Sequence, residues 1–170
     1  VYVAALATDL LPAPELRSLL LDFADVFPHG AACLPPTGAD HLILLGIADA
    51  SPPPLARLEE RFEAASNTLG VLGFSSALDV ADRCALPARA LASWAAEGPS
   101  GSRWPPHRLP DTLGLSPGLP LAQLGDRVGA PEDLWDLTGL ADGTAELERR
   151  HQAVRHFLEL LGETTSGDME

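Results

Sequence analysis

The stretch VYVAALATDLLPAPELRSLLLDFADVFPHGAACLPPTGADHLILLGIA, Val1 to Ala48, reads as strand, helix, strand, turn, strand. Val1 to Leu6 is an almost wholly apolar run without alternation, the pattern of a strand covered on both faces, as in a parallel sheet. Pro12 and Pro14 break that run, and Pro14 suits a first helical position, where a missing N–H costs nothing. From Pro14 to Val26 the residues Leu16, Leu19, Leu20, Phe23, Val26 and Phe27 recur at helical spacing and define one apolar stripe. Arg17, Ser18, Asp22 and Asp25 lie mostly off it. Pro28 stops the helix by pushing the residue before it out of the α region.

Gly30 to Leu34 is the next strand, Pro35 to Asp40 a turn cluster, and His41 to Ala48 a strand built on Leu42-Ile43-Leu44-Leu45. The short connection predicts that these two strands form an antiparallel hairpin. Strand, amphipathic helix, strand is a βαβ unit with an expected right-handed crossover. Strands buried on both faces need sheet neighbours. The remaining sequence reads as helical, so the first strands of the sheet are expected to lie outside it.

The 170 residues suffice for one domain with its own core, and 46% hydrophobic against 21% charged residues marks a globular chain. Sixteen prolines and fifteen glycines predict many short elements with firm stops. The net charge is −13 and all eleven basic residues are arginine, which argues against nucleic-acid binding because an acidic surface repels phosphate. The same field attracts cations, polyamines among them, weakly and in a salt-dependent way, and the plainer consequence is solubility. Cys33 and Cys84 lack metal-type spacing and are expected to be two reduced, buried thiols. No run approaches the ~20 apolar residues that span a bilayer. The first residues carry no basic n-region of a signal peptide. An opening Val rather than Met fits a segment of something larger.

After the boundary at Ser51-Pro52-Pro53-Pro54, residues 51–97 form a helical packing segment. A helix is expected from Leu55 to Ala65, with Arg57, Glu59, Glu60 and Glu63 facing water, then a break from Asn67 to Gly73. Ser75 or Ser76 caps the next helix, with Asp79 three residues after Ser76, and that helix runs to about Cys84. Leu86-Pro87 starts another, which ends near Glu97. Residues 98–118 are a Pro/Gly-rich loop and 119–170 a helical C-terminal segment. Within it, short helices fall at Leu119 to Val128 and from Pro131 through Leu137. A last helix runs from about Asp142 to Leu161, where Gly162 ends it ahead of a frayed tail.

Candidate chemistry is sparse. His151 and His156 are five apart and do not share a helix face, so no metal pair is expected. Gly73-Phe74-Ser75-Ser76-Ala77 matches a nucleophile elbow only loosely, and helix capping explains both serines. No glycine-rich phosphate or dinucleotide cradle is present. Asp9 follows the first strand, where open α/β sheets place ligands, and is the tentative substrate-binding residue against the alternative of a turn or cap. Asp111-Thr112 reads as a capping dipeptide in the loop.

The helix Pro14-Glu15-Leu16-Arg17-Ser18-Leu19-Leu20 with Phe23, followed by Val26-Phe27-Pro28-His29, resembles the corresponding helix and turn of bacterial spermidine-synthase-like proteins. The hairpin with Asp40-His41-Leu42-Ile43-Leu44-Leu45-Gly46 is similar to the last strands of that family's methyltransferase-type fold. The resemblance implies an α/β chain. Residues 1–50 would be the terminal βαββ unit, with crossover helix, of a Rossmann-type methyltransferase sheet, and a helical tail would follow. It implies aminopropyl transfer from decarboxylated S-adenosylmethionine to a diamine, with a carboxylate near the amine to favour the neutral nucleophile. The family's glycine-rich cofactor turn and acidic catalytic motif precede the matching segment. No catalytic or cofactor-binding residue is therefore expected here, and the segment alone is expected to be inactive.

The implied partner is the missing N-terminal part of the same fold or another subunit, with a homo-oligomer also open. The implied location is cytoplasmic, with a possible tether through an upstream region. The chain departs from the family at Ala4, Ala5 and Ala7 and keeps only Asp111-Thr112 of a longer acidic motif. These departures support an alternative, a non-catalytic acidic interaction module or accessory subunit.

Overall fold

The structure is a computed structural model and describes residues 2–8, 13–35, 41–48, 51–98, 121–138 and 141–167. It is a mixed α/β protein, largely helical, with one four-stranded antiparallel sheet. Strand β1 spans Tyr2–Ala7, helix α1 Ala13–Val26, β2 Ala31–Cys33 and β3 His41–Gly46. Helix α2 spans Leu55–Val71, α3 Ala77–Arg83, β4 Leu86–Pro87, α4 Ala88–Ala96 and α5 Ala141–Gly167. Two 3₁₀ turns, Leu121–Arg127 and Pro131–Asp133, precede α5.

The strand order is β1-β3-β2-β4. β3 pairs antiparallel with β1, Ala4 opposite Leu44, and with β2, Ala32 opposite Leu44. The β2–β3 hairpin expected from the sequence is therefore present. β1 and β2 run the same way, joined by α1, with β3 inserted between them. This corrects the expectation of a parallel sheet, since each hydrogen-bonded pair is antiparallel. An apolar run cannot distinguish a parallel neighbour from a returning hairpin strand, and here the hairpin fills the gap that the crossover leaves.

The sheet separates two cores. On one face Leu6, Ala32, Leu42, Leu44 and Leu86 pack with Leu16, Leu20 and Phe23 of α1 and with Leu91 and Trp94 of α4. On the other, Ala31 and Cys33 pack with Leu55, Ala81, Trp135 and Leu147, with Ile43 and Leu45 alongside. The alternation along β3 follows, because successive side chains leave a strand on opposite faces. Each fully buried leucine contributes about 1.5–3 kcal/mol. The α1 stripe is thus real for Leu16, Leu20 and Phe23, whereas Val26 is exposed. β1 is not covered on both faces: Tyr2 is 51% and Val3 62% exposed.

Three boundaries differ from the sequence reading. Helix α2 continues through the expected break at Asn67–Gly70 and stops just before Gly73, whose φ of 86° only glycine adopts readily. Pro131 starts a single 3₁₀ turn instead of a helix, and the chain then extends so that Asp136 bridges Pro54. α5 runs on past Gly162 to Gly167, because one helical glycine costs only ~1 kcal/mol. The loop 98–118 and the last three residues fall, apart from Gly98, outside the described residues.

The largest correction concerns the cysteines. Cys33 ends β2, Cys84 caps the C-terminus of α3, and the two form a disulfide with Cα atoms 3.8 Å apart. The Leu34 amide donates to the Arg83 carbonyl at 2.9 Å, and this bond holds the two backbones side by side. Two buried thiols brought together by that contact are positioned to oxidise, which no spacing in the sequence reveals.

Candidate functional site

Asp9, the tentative substrate residue, and Asp111-Thr112 lie outside the described residues, as does the Asp40 turn. What the structure describes near β1 is an open groove of about 390 Å³ between β1 and α1. Its floor is apolar: Ala4, Leu6 and Leu44 from the sheet, and Phe23 and Phe27 from the helix and the residue that follows it. Tyr2 stacks on Phe27 with ring centroids 5.6 Å apart and planes 10° from parallel, and Phe23 tilts against Phe27 at 5.5 Å. Asp22 is the only charged residue among the described ones that line the groove. A carboxylate beside aromatic faces suits an organic cation. The sequence placed Asp22 off the apolar stripe and so passed over it. The signal was present in its position one residue from Phe23, at the stripe's margin.

Gly46 closes β3 opposite Tyr2, and a Cβ there would meet the Phe27 ring at 2.9 Å. This glycine serves close packing, and among the described residues no glycine-rich turn forms a cradle after a strand.

The second polar cluster is structural. Ser76 caps α3, its hydroxyl accepting from the Asp79 amide at 3.2 Å, while the Asp79 carboxylate accepts from the Ser75 and Ser76 amides at 2.6 and 2.9 Å. The Ser75 hydroxyl also donates to Asp79, at 2.5 Å. Both serines are thus engaged in the cap, as their spacing predicts, rather than in nucleophilic chemistry. Arg150 of α5 donates to Asp79 at 2.6 Å, to Asp82 at 3.3 Å and to Glu146 at 2.8 Å, which clamps α5 onto α3. Burial raises the Asp79 carboxyl, but bonds from Ser75, Arg150 and Ser76 outweigh it and hold the group well below the usual carboxylate range. At Asp82 burial prevails over Arg150 and Arg83, and its pKa is raised.

His151 is 3% exposed, and its Nδ1 lies 2.9 Å from the Gly129 carbonyl, to which it donates. Burial pushes its pKa down, against the opposing pull of the Gly129 and Ala81 carbonyls. His156 points elsewhere, 3.6 Å from Glu159 on the exposed side of α5. Among the described residues no three His, Cys, Asp or Glu side chains gather as a metal site would require.

Arg17 caps the far end of α4. Its guanidinium lies 3.8 Å over the Trp94 ring and donates to the Trp94 and Ala95 carbonyls, where a cation suits the negative end of a helix. No helix of the described residues is long and apolar enough to cross a membrane. The fold and its polar clusters thus define a mixed α/β protein with an apolar, open-edged sheet and no assembled catalytic set among the described residues. Comparisons with protein-family models, curated proteins and solved structures find no match.

Proposed function

We propose that this chain is the sheet-completing C-terminal part of a spermidine-synthase-like transferase of Rossmann-type, methyltransferase fold. In this reading the whole protein transfers an aminopropyl group from decarboxylated S-adenosylmethionine to a diamine, and this part alone is inactive. The observation that carries the reading is the strand order. Two parallel strands joined by a crossover helix, with an antiparallel strand between them, make the kind of end that caps an otherwise parallel sheet. Among the described residues β1 pairs on one side alone, which supports it as well. Tyr2 to Ala7 carries no charge, proline or bulge to guard an edge, and Tyr2, Val3 and Ala5 are exposed. The partner is then the preceding part of the same sheet. The Asp22 groove and the charge of −13 would favour a cationic acceptor over an anionic one.

The test is calorimetric titration with decarboxylated S-adenosylmethionine. This chain should not bind it, and the chain together with the residues its gene encodes ahead of Val1 should. Failure of the longer chain to bind removes the enzymatic reading.

A second reading, a non-catalytic acidic interaction module, is favoured by the Cys33–Cys84 bond. Structural disulfides persist where thiols are not kept reduced, which sits poorly with a cytoplasmic polyamine enzyme. Thiol labelling of the protein from its native host separates the two readings. Free thiols favour the cytoplasmic transferase, and a closed bond favours the module.

A further inference from the structure

A second groove, of about 510 Å³, lies on the opposite face of the sheet from α1. Leu45 and Ile47 line it from β3 and just beyond, Pro53 and Pro54 from the approach to α2, Leu58 from α2 itself, and Trp135 from the extended segment before α5. Its walls are fixed, because the Asp136 amide donates to the Pro53 carbonyl at 2.9 Å and the Leu55 amide to the Asp136 carbonyl at 3.0 Å. The size suits a small organic molecule. Among the described residues its charged lining is Arg57 and Arg61, with no acidic residue.

The arginines set this groove apart. The other described arginines are engaged: Arg17 at the end of α4, Arg83 and Arg150 with aspartates, Arg89 with Asp133, Arg127 with Glu97, Arg149 with Glu146, and Arg155 with the Val128 carbonyl. Arg57 and Arg61 make no ion pair or side-chain hydrogen bond among the described residues. They are four apart on α2, so they lie on one face, where like charges repel.

Arg57 sits in the first turn of α2, which holds no acidic residue and whose preceding Pro54 gives no side-chain cap. A cation there opposes the positive end of the helix. Trp135 is 6% exposed, and among the described residues its indole N–H has no hydrogen-bond partner. Buried donors are normally satisfied. Two guanidinium groups with no partner among the described residues border one apolar trough, and an anion completes both.

We infer that this groove binds an amphipathic organic carboxylate, its apolar body along Leu45, Ile47, Pro53 and Leu58 and its anionic head between Arg57 and Arg61. A carboxylate matches the guanidinium fork in two parallel bonds, while the trough takes the chain or ring behind it. This inference is independent of the transferase reading, which concerns the opposite face of the sheet.

The probe is decanoate, titrated into the chain and followed by calorimetry and tryptophan fluorescence, with decanol as its uncharged counterpart. The expected result is one saturable site for decanoate, weaker at high salt, with decanol bound at least about tenfold more weakly. The Arg57→Ala/Arg61→Ala variant alters only exposed side chains and should lose about tenfold in affinity. Trp135→Phe should abolish the fluorescence change if the ligand seats beside that ring. Equal binding of decanol, undiminished binding in the arginine variant, or no saturable binding would each overturn the inference.

Discussion

Removing the Cys33–Cys84 bond should cost this protein more stability than any single exposed change. The bond joins residues 51 apart, and closing a loop of that length removes roughly 14 cal/mol/K of entropy from the unfolded chain, or about 4 kcal/mol at 25 °C. The Cys33→Ala/Cys84→Ala variant suits the measurement, because both positions are buried in an apolar cluster where serine hydroxyls would add a desolvation penalty. The Leu34–Arg83 hydrogen bond and the packing of Ala31 on Trp135 and Leu147 are expected to survive, so the variant should fold, with a lower urea midpoint and an m-value that is somewhat larger because its unfolded chain is less compact. Urea melts of the oxidised protein, the reduced protein and the variant should rank the oxidised form highest, with the other two close together. A difference under about 1 kcal/mol between oxidised protein and variant would refute the loop-closure reasoning. Two thiols that label freely in the native protein would remove the bond itself.

Leu20 is fully buried between α1 and the sheet, and Leu20→Ala should lose ~2–5 kcal/mol in a urea melt; a loss under about 0.5 kcal/mol would contradict the packing. Ser76→Ala removes the α3 cap and should lower stability by about 1 kcal/mol, while Ser75→Ala, outside the capping position, should cost less. His151 has a folded pKa below its unfolded value of about 6.5, so the unfolded state binds more protons as pH falls. Its contribution is present above that value and is lost progressively as pH falls below it. Asp82, raised by burial, contributes with the opposite sign, so the readout is the difference between wild type and His151→Gln, whose pH dependence should be flatter. Identical slopes for the two proteins would show that the imidazole is not buried in its neutral form.

The elements that local chemistry dictates were legible in the sequence. The Leu16, Leu20, Phe23 stripe is buried as its spacing requires, the β2–β3 hairpin forms across its turn, and Ser76 with Asp79 builds the predicted cap. What was not legible depends on residues that meet only in space. An apolar run at Tyr2–Ala7 does not say which strand lies beside it, so the insertion of β3 between β1 and β2 escaped the parallel-sheet expectation. Cys33 and Cys84 meet only because β2 and the end of α3 run side by side. Arg57 was read as facing water. It does, but its place beside Arg61 and Trp135 required the fold that folds the chain after Asp133 back against Pro54.

The strand order leaves one side of β1 unpaired among the described residues, where the sheet-completion proposal requires a neighbour, and amide hydrogen exchange measures that side directly. In this chain, the β1 amides that do not point at β3 should exchange rapidly while those of β3 are protected. With the residues its gene encodes ahead of Val1 included, the same β1 amides should become protected to a degree near that of β3. Protection of both sides of β1 in this chain alone, or continued rapid exchange in the longer chain, would contradict a sheet that continues beyond Tyr2–Ala7.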